Sequence, residues 1–322
     1  MRGYFERCLR EFTIAIFVVL ALGQVAFFQD QPIRVETNLV SVPCLVLDKD
    51  GRYISNLRKE DFEIFEDGVK QEIRHFRPIE ERISVLLLLD VSGSMGFDID
   101  LVADSANRFI KKLRPTDRLS VAAFSDYYDQ MFGFMPVEEV LGKKRLRLLV
   151  NGRPPQTMVY DAVETALKRI TPVNGRKAIV MLSDGIGTGY SASAKSNLAD
   201  SEEQEALIYS FNFDSNAYYP VRLKTESEQR FRERNKNADF AKGYMNSLAT
   251  KTGGRYFDIK QIEDLDSVFD QVANELGRQY TLMYEPANEG RAGERRKITV
   301  KVNIPNVAVR SRNEVVFKKS GK

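Results

Sequence analysis

The stretch "SVLLLLDVSGSM", residues 84–95, decides the fold. Five apolar residues, Val85 to Leu89, run without interruption. A continuous apolar run of this length fits a strand covered on both faces, as in a parallel sheet. The chain then turns to Asp90, Ser92 and Ser94 at alternate positions, with Gly93 between the serines. In open α/β sheets, ligands bind beyond the carboxyl ends of the strands. Asp90 stands at such an end, and a loop that curls at Gly93 lets the two hydroxyls converge. One carboxylate and two hydroxyls are hard oxygen donors. They suit magnesium or manganese and by themselves hold neither zinc nor copper.

Outward from this stretch, buried-strand and helix patterns alternate. "LVADSANRFIKKL" (101–113), "VEEVLGKKRLRLLV" (137–150), "VYDAVETALKRI" (159–170), "ADFAKGYMNSLATKTGG" (238–254) and "EDLDSVFDQVANELGRQ" (263–279) suit helices, the fourth stopped at Gly253-Gly254. "RLSVAAFS" (118–125), "KAIVMLSDG" (177–185), "ALIYSFNF" (206–213) and "YFDI" suit strands. The alternation predicts an α/β domain over residues 83–279, a doubly wound and mainly parallel sheet with helices on both faces. Residues 214–237, highly charged and without apolar periodicity, read as a solvated surface loop.

β-patterns lie on both sides of this domain. In "DFEIFEDGVKQEIRHF" (61–76) Asp67-Gly68 separates two apolar runs, a strong hairpin signal. "YTLMYEP", "RRKITVKVNI" and "NVAVRSRNEVVF" return to strand character after residue 280. The segments 33–80 and 280–318 are expected to pack together as a small β-sandwich, with the α/β domain inserted between them; two independent β-extensions are the alternative. "DKDG" at 48–51 lacks the glycine and glutamate offsets of a calcium loop.

A magnesium site needs about six oxygens. "VMLSDG" offers Asp184 at the end of a second apolar strand, and "PPQTMVYDA" offers Thr157 just before a helix. "DVSGSM", the later threonine and the later "SDG" resemble, in order and spacing, the metal-ion-dependent adhesion site (MIDAS) of von Willebrand factor A-type domains. "ERISVLLLLDVSGSM", "FS" at 124–125 and "TMVYDAV" are similar to bacterial members. The flanking segments resemble exported proteins of an acidobacterial von Willebrand-A-related group. The resemblance implies a doubly wound α/β fold. It also implies a magnesium ion, with manganese or calcium as substitutes, held by Asp90, Ser92, Ser94 and Thr157, with Asp184 direct or through water. In that family the metal typically binds a partner's acidic side chain. The sequence departs from it at "RPPQT", where many bacterial relatives carry "GGT", and in the Gly- and Ser-rich stretch after Asp184.

The chain has 322 residues, 48 basic and 45 acidic, for a net charge of +3. That balance gives no global field to recruit nucleic acid. Its one histidine, His75, excludes a histidine-rich zinc site, and with no Gly-x-Ser-x-Gly elbow argues against a hydrolytic triad. Arg2, Arg7 and Arg10 precede the apolar stretch 12–28. Residues 1–28 thus read as a secretory signal, or as an uncleaved anchor that would be the chain's one membrane contact. Export places the protein in the periplasm, at the cell surface or outside, and leaves Cys44 as the single cysteine after cleavage. Cys44 reads as a buried small residue, Asp161 as a carboxylate in the first turn of a helix, and Tyr127 and Tyr128 as rim residues or half-buried loop aromatics. The expected function is metal-dependent protein binding or adhesion and not catalysis. A metal-assisted hydrolase and a scaffold without metal function are the alternatives.

Overall fold

The structure is a computed structural model that describes residues 39–95, 99–143, 145–149, 157–213, 227–261, 263–288 and 290–317. The expected leader, residues 1–28, lies outside them, as does 214–226 of the charged stretch. Among the described residues no helix is long and apolar enough to cross a membrane.

The chain enters with β1 (Val40–Asp48), β2 (Phe62–Glu66), β3 (Val69–Gln71) and β4 (Ile73–Arg77). The α/β region follows: β5 (Ile83–Asp90), α1 (Ile99–Lys112), β6 (Arg118–Phe124), β7 (Tyr128–Pro136), α2 (Val137–Gly142), α3 (Val159–Ile170), β8 (Arg176–Ser183), α4 (Ala194–Glu202), β9 (Leu207–Phe213), α5 (Glu228–Thr252), β10 (Arg255–Ile259) and α6 (Asp264–Leu276). It leaves with β11 (Tyr280–Tyr284), β12 (Arg295–Val302), β13 (Val307–Ser311) and β14 (Glu314–Val316).

All eight residues of β5 are buried, because both faces of its sheet are covered. Val85, Leu87 and Leu89 face one hydrophobic layer with Phe109 of α1 and Phe269 and Val272 of α6. Leu86 and Leu88 face another with Ala162 and Ala166 of α3 and Met245 and Leu248 of α5. Each fully buried leucine here contributes about 1.5–3 kcal/mol. The sheet order is β10-β9-β8-β5-β6-β7, parallel except for the edge strand β7. After β5 the chain builds outward through β6 and β7, then crosses to β8 on the other side. The order therefore reverses between β5 and β8, and a crevice opens at their carboxyl ends.

Two further four-stranded sheets, β13-β1-β11-β4 and β14-β12-β2-β3, are antiparallel and interleave strands from both flanks of the α/β region. β1 lies between β11 and β13, and β2 pairs with β12. One core joins the two sheets, with Val42, Cys44 and Leu282 from the first and Ile64, Ile298 and Val315 from the second. The β2–β3 hairpin turns at Asp67 (φ 47°) and Gly68 (φ 85°), the left-handed pair that such a turn requires. The β-module is fastened to the α/β domain by buried charge. Glu275 of α6, fully buried, accepts from Arg255 at 2.9 Å and Tyr53 at 3.1 Å and pairs with Arg310 of β13.

Three segments differ from the expected pattern. Helix α2 stops at Gly142, and Leu146 and Leu148 are buried in a non-helical segment while Arg145 and Arg147 face outward. The edge strand β7 was not anticipated. Helix α5 begins at Glu228, ten residues before the expected start, so residues 228–237 are helix and not loop.

Candidate metal centre at the strand ends

Asp90 is the last residue of β5 and is fully buried. Its Oδ1 accepts the main-chain N–H of Ser92 at 2.9 Å, which bends the chain at once after the strand. The bend sets the hydroxyls of Ser92 and Ser94 3.0 Å apart. Asp184 follows the last residue of β8, the neighbouring strand across the crevice, and is 4 % exposed. Its Oδ1 accepts the N–H of Ile186 at 2.9 Å. Burial, and then the like charge of Asp184, push the Asp90 carboxyl up to about 7, against the lowering effect of hydrogen bonds from Ser183 and Ser92.

Thr157 is placed by its main chain. Its carbonyl accepts from Thr188 N at 2.8 Å, and the next residue, Met158, donates to Ser125 O at 2.6 Å. The threonine turn is thereby tied to the end of β6 on one side and to the loop after β8 on the other. A Cβ on Gly187 would stand 2.3 Å from Thr157 O, so this close approach requires glycine there. Asp161, in the first turn of α3, accepts from Tyr190 N, Ser191 N and Oγ, and Ala192 N, and so pins the same loop. Burial raises its pKa, but these hydrogen bonds hold the carboxyl below its ordinary range.

Sequence reasoning missed Ser183. Its Oγ donates to Asp90 Oδ2 at 2.5 Å and accepts from Gly185 N at 2.8 Å. Ser183 pairs in register with Asn212 on β9, and Asn212 with Asp258 on β10. A polar row therefore crosses the sheet at the carboxyl ends of four strands. The one trace of Ser183 in the sequence is its place in "SDG". Tyr127 is half-exposed and lines a cavity together with Val91, the residue after Asp90, whereas Tyr128 begins β7 and lies under the Arg169 guanidinium. His75 lies in β4, outside the α/β domain. Cys44 is buried, which pushes its thiol up to about 12.

Among the described residues no three His, Cys, Asp or Glu side chains gather into a metal cluster. The candidate donors are the carboxylates of Asp90 and Asp184 and the hydroxyls of Ser92 and Ser94, with Thr157 on the neighbouring turn. Their chemistry fits a hard divalent cation, because two like charges lie side by side in a buried, hydroxyl-lined crevice and a +2 ion cancels both.

A doubly wound α/β domain with oxygen donors at its switch point defines the class. Residues 85–186, about a third of the chain, match the family model of the von Willebrand factor type A domain. The strands of the β-module lie outside the match. The search of curated proteins found no match. Among solved structures the chain is similar to proximal thread matrix protein 1 from the mussel byssus. That likeness has 12% identity over 77% of this chain and 50% of that chain, with a TM-score of 0.46. The mussel protein has also been solved with a zinc-occupied MIDAS motif. The chain is likewise similar to a von Willebrand factor type A protein from Catenulispora acidiphila (12% identity, 80% and 74% of the two chains, TM-score 0.47). A third likeness is to the ArnB paralog VWA2 from Sulfolobus acidocaldarius (13%, 88% and 76%, TM-score 0.44). The chain spans half the length of the mussel protein.

Proposed function

We propose that the protein is a metal-dependent carboxylate receptor working outside the cytoplasm. Asp90, Ser92, Ser94, Thr157 and Asp184 hold one divalent cation, magnesium first, and the cation takes an acidic side chain of a partner protein. The observation that carries this reading is the pairing of Asp90 and Asp184, two buried carboxylates at the ends of adjacent parallel strands, near the Ser92 and Ser94 hydroxyls. A cation that cancels two carboxylates and keeps an open position is completed by a third carboxylate from outside. The role is binding or adhesion and not catalysis, with the basic and apolar start of the sequence, residues 1–28, as the export signal.

The test is magnesium titration of the purified chain with and without a short aspartate peptide, with an asparagine peptide as control. Tighter magnesium binding with aspartate alone supports the carboxylate receptor. Equal binding with both peptides contradicts it.

A further inference from the structure

Beside the metal centre the strand-end face holds a cavity of about 220 Å³, lined by Val91, Phe124, Tyr127, Met131, Leu148 and Leu149. Val91 directly follows Asp90, and its N–H bonds Phe124 O at 2.9 Å, so the cavity shares a wall with the site. Arg147 and Asp129 also line it, and neither forms an ion pair among the described residues.

Among the described residues seven large hydrophobic side chains are exposed. Tyr127 (50 %) and Leu149 (75 %) border the cavity. Tyr190 (88 %) stands on the loop that Asp161 pins after β8, and Leu101 is exposed in the first turn of α1, the helix that follows the β5 loop. Single exposed hydrophobics are ordinary; here two of them, Tyr127 and Leu149, stand at the mouth of one cavity.

Resting on the carboxylate-receptor reading, we propose that the cavity receives an apolar side chain of the same partner, one or two residues from the acidic residue that reaches the cation. The partner is an extended protein segment pairing an aspartate or glutamate with a leucine-sized or aromatic neighbour. Its main chain has complementary groups at the cavity wall: Arg147 donates to a carbonyl and Asp129 accepts an N–H. The cation supplies affinity for any acidic segment, and the cavity selects among them.

The experiment uses the full chain with saturating magnesium and two peptides of equal length, one with aspartate among glycines and one with leucine beside the aspartate. The leucine peptide is expected to bind about tenfold more tightly, the worth of burying one such side chain. Leu149→Ser, at a largely exposed position, should keep the magnesium affinity measured without peptide and lose most of that advantage. Equal affinity of the two peptides while magnesium binds overturns the cavity assignment alone. Self-association that Leu149→Ser abolishes also overturns it, by assigning the surface to a second copy. Absence of magnesium binding to the folded chain overturns the receptor reading, and this one with it.

Discussion

Ser183 Oγ donates to Asp90 Oδ2 at 2.5 Å, joining the ends of two adjacent parallel strands across the point where the strand order reverses. The same oxygen accepts the N–H of Gly185 at 2.8 Å. One hydroxyl therefore orients the buried carboxylate and also starts the turn that carries Asp184. Ser183→Ala should weaken magnesium binding by about tenfold or more, the usual effect of losing a group that orients a metal ligand. It should also destabilise the fold by about 1–2 kcal/mol. Calorimetry and urea unfolding read the two effects separately.

Two carboxylates buried side by side oppose folding until a cation cancels them. Asp90→Asn removes one charge and keeps the shape. In EDTA the variant should be at least as stable as the unmodified protein. In magnesium at a hundred times its dissociation constant the unmodified protein should gain about 2.7 kcal/mol and the variant nothing. Thermal unfolding in the two conditions makes the comparison, and a variant less stable in EDTA would count against the buried like-charge pair.

Asp161 should make the loop after β8 sensitive to acid. Its folded-state pKa lies below the ordinary range, so its contribution is complete above the unfolded value of about 4. That contribution is lost as pH falls through the lower folded value. Amide exchange at residues 190–192, corrected for the intrinsic rate, should accelerate in that window. Asp161→Ala should show the same acceleration at neutral pH without change elsewhere in the sheet.

Glu275, itself fully buried, holds Arg255 of the α/β domain and Arg310 of the β-module, whose side chains are 40 % and 31 % exposed. Removing Glu275 takes away the hydrogen bonds that tie both arginines to one carboxylate, while the arginines themselves keep access to water. Glu275→Ala should cost about 1.5–3 kcal/mol in denaturant unfolding. A loss below about 1 kcal/mol would mean that the two modules do not depend on this contact.

Where an element's environment was written into its pattern, it could be read from sequence. The run Val85–Leu89 announced burial on both faces, and Asp67-Gly68 announced the hairpin. Helix α5 was read too short because residues 228–237 carry charge on every side. They are held by a Ser227 cap and by pairs such as Arg232–Glu228, which leave no apolar stripe. In "RLRLL" (145–149) the alternation of buried leucine and exposed arginine was present, but the helical start at 137 masked it. Asp90 and Asp184, which the structure sets at the ends of the adjacent strands β5 and β8, and the converging Ser92 and Ser94 were marked by their order in the sequence. Ser183 was not, since its role arises only when β5 and β8 lie side by side. The same holds for the cavity wall, built from residues between 91 and 149 that no local pattern connects.

The most direct measurement is magnesium and manganese calorimetry on the unmodified protein and on Asp90→Ala, each shown to be folded by circular dichroism. A single saturable cation site that disappears in folded Asp90→Ala is the result expected from the strand-end donor set. Unchanged cation affinity in folded Asp90→Ala would contradict it.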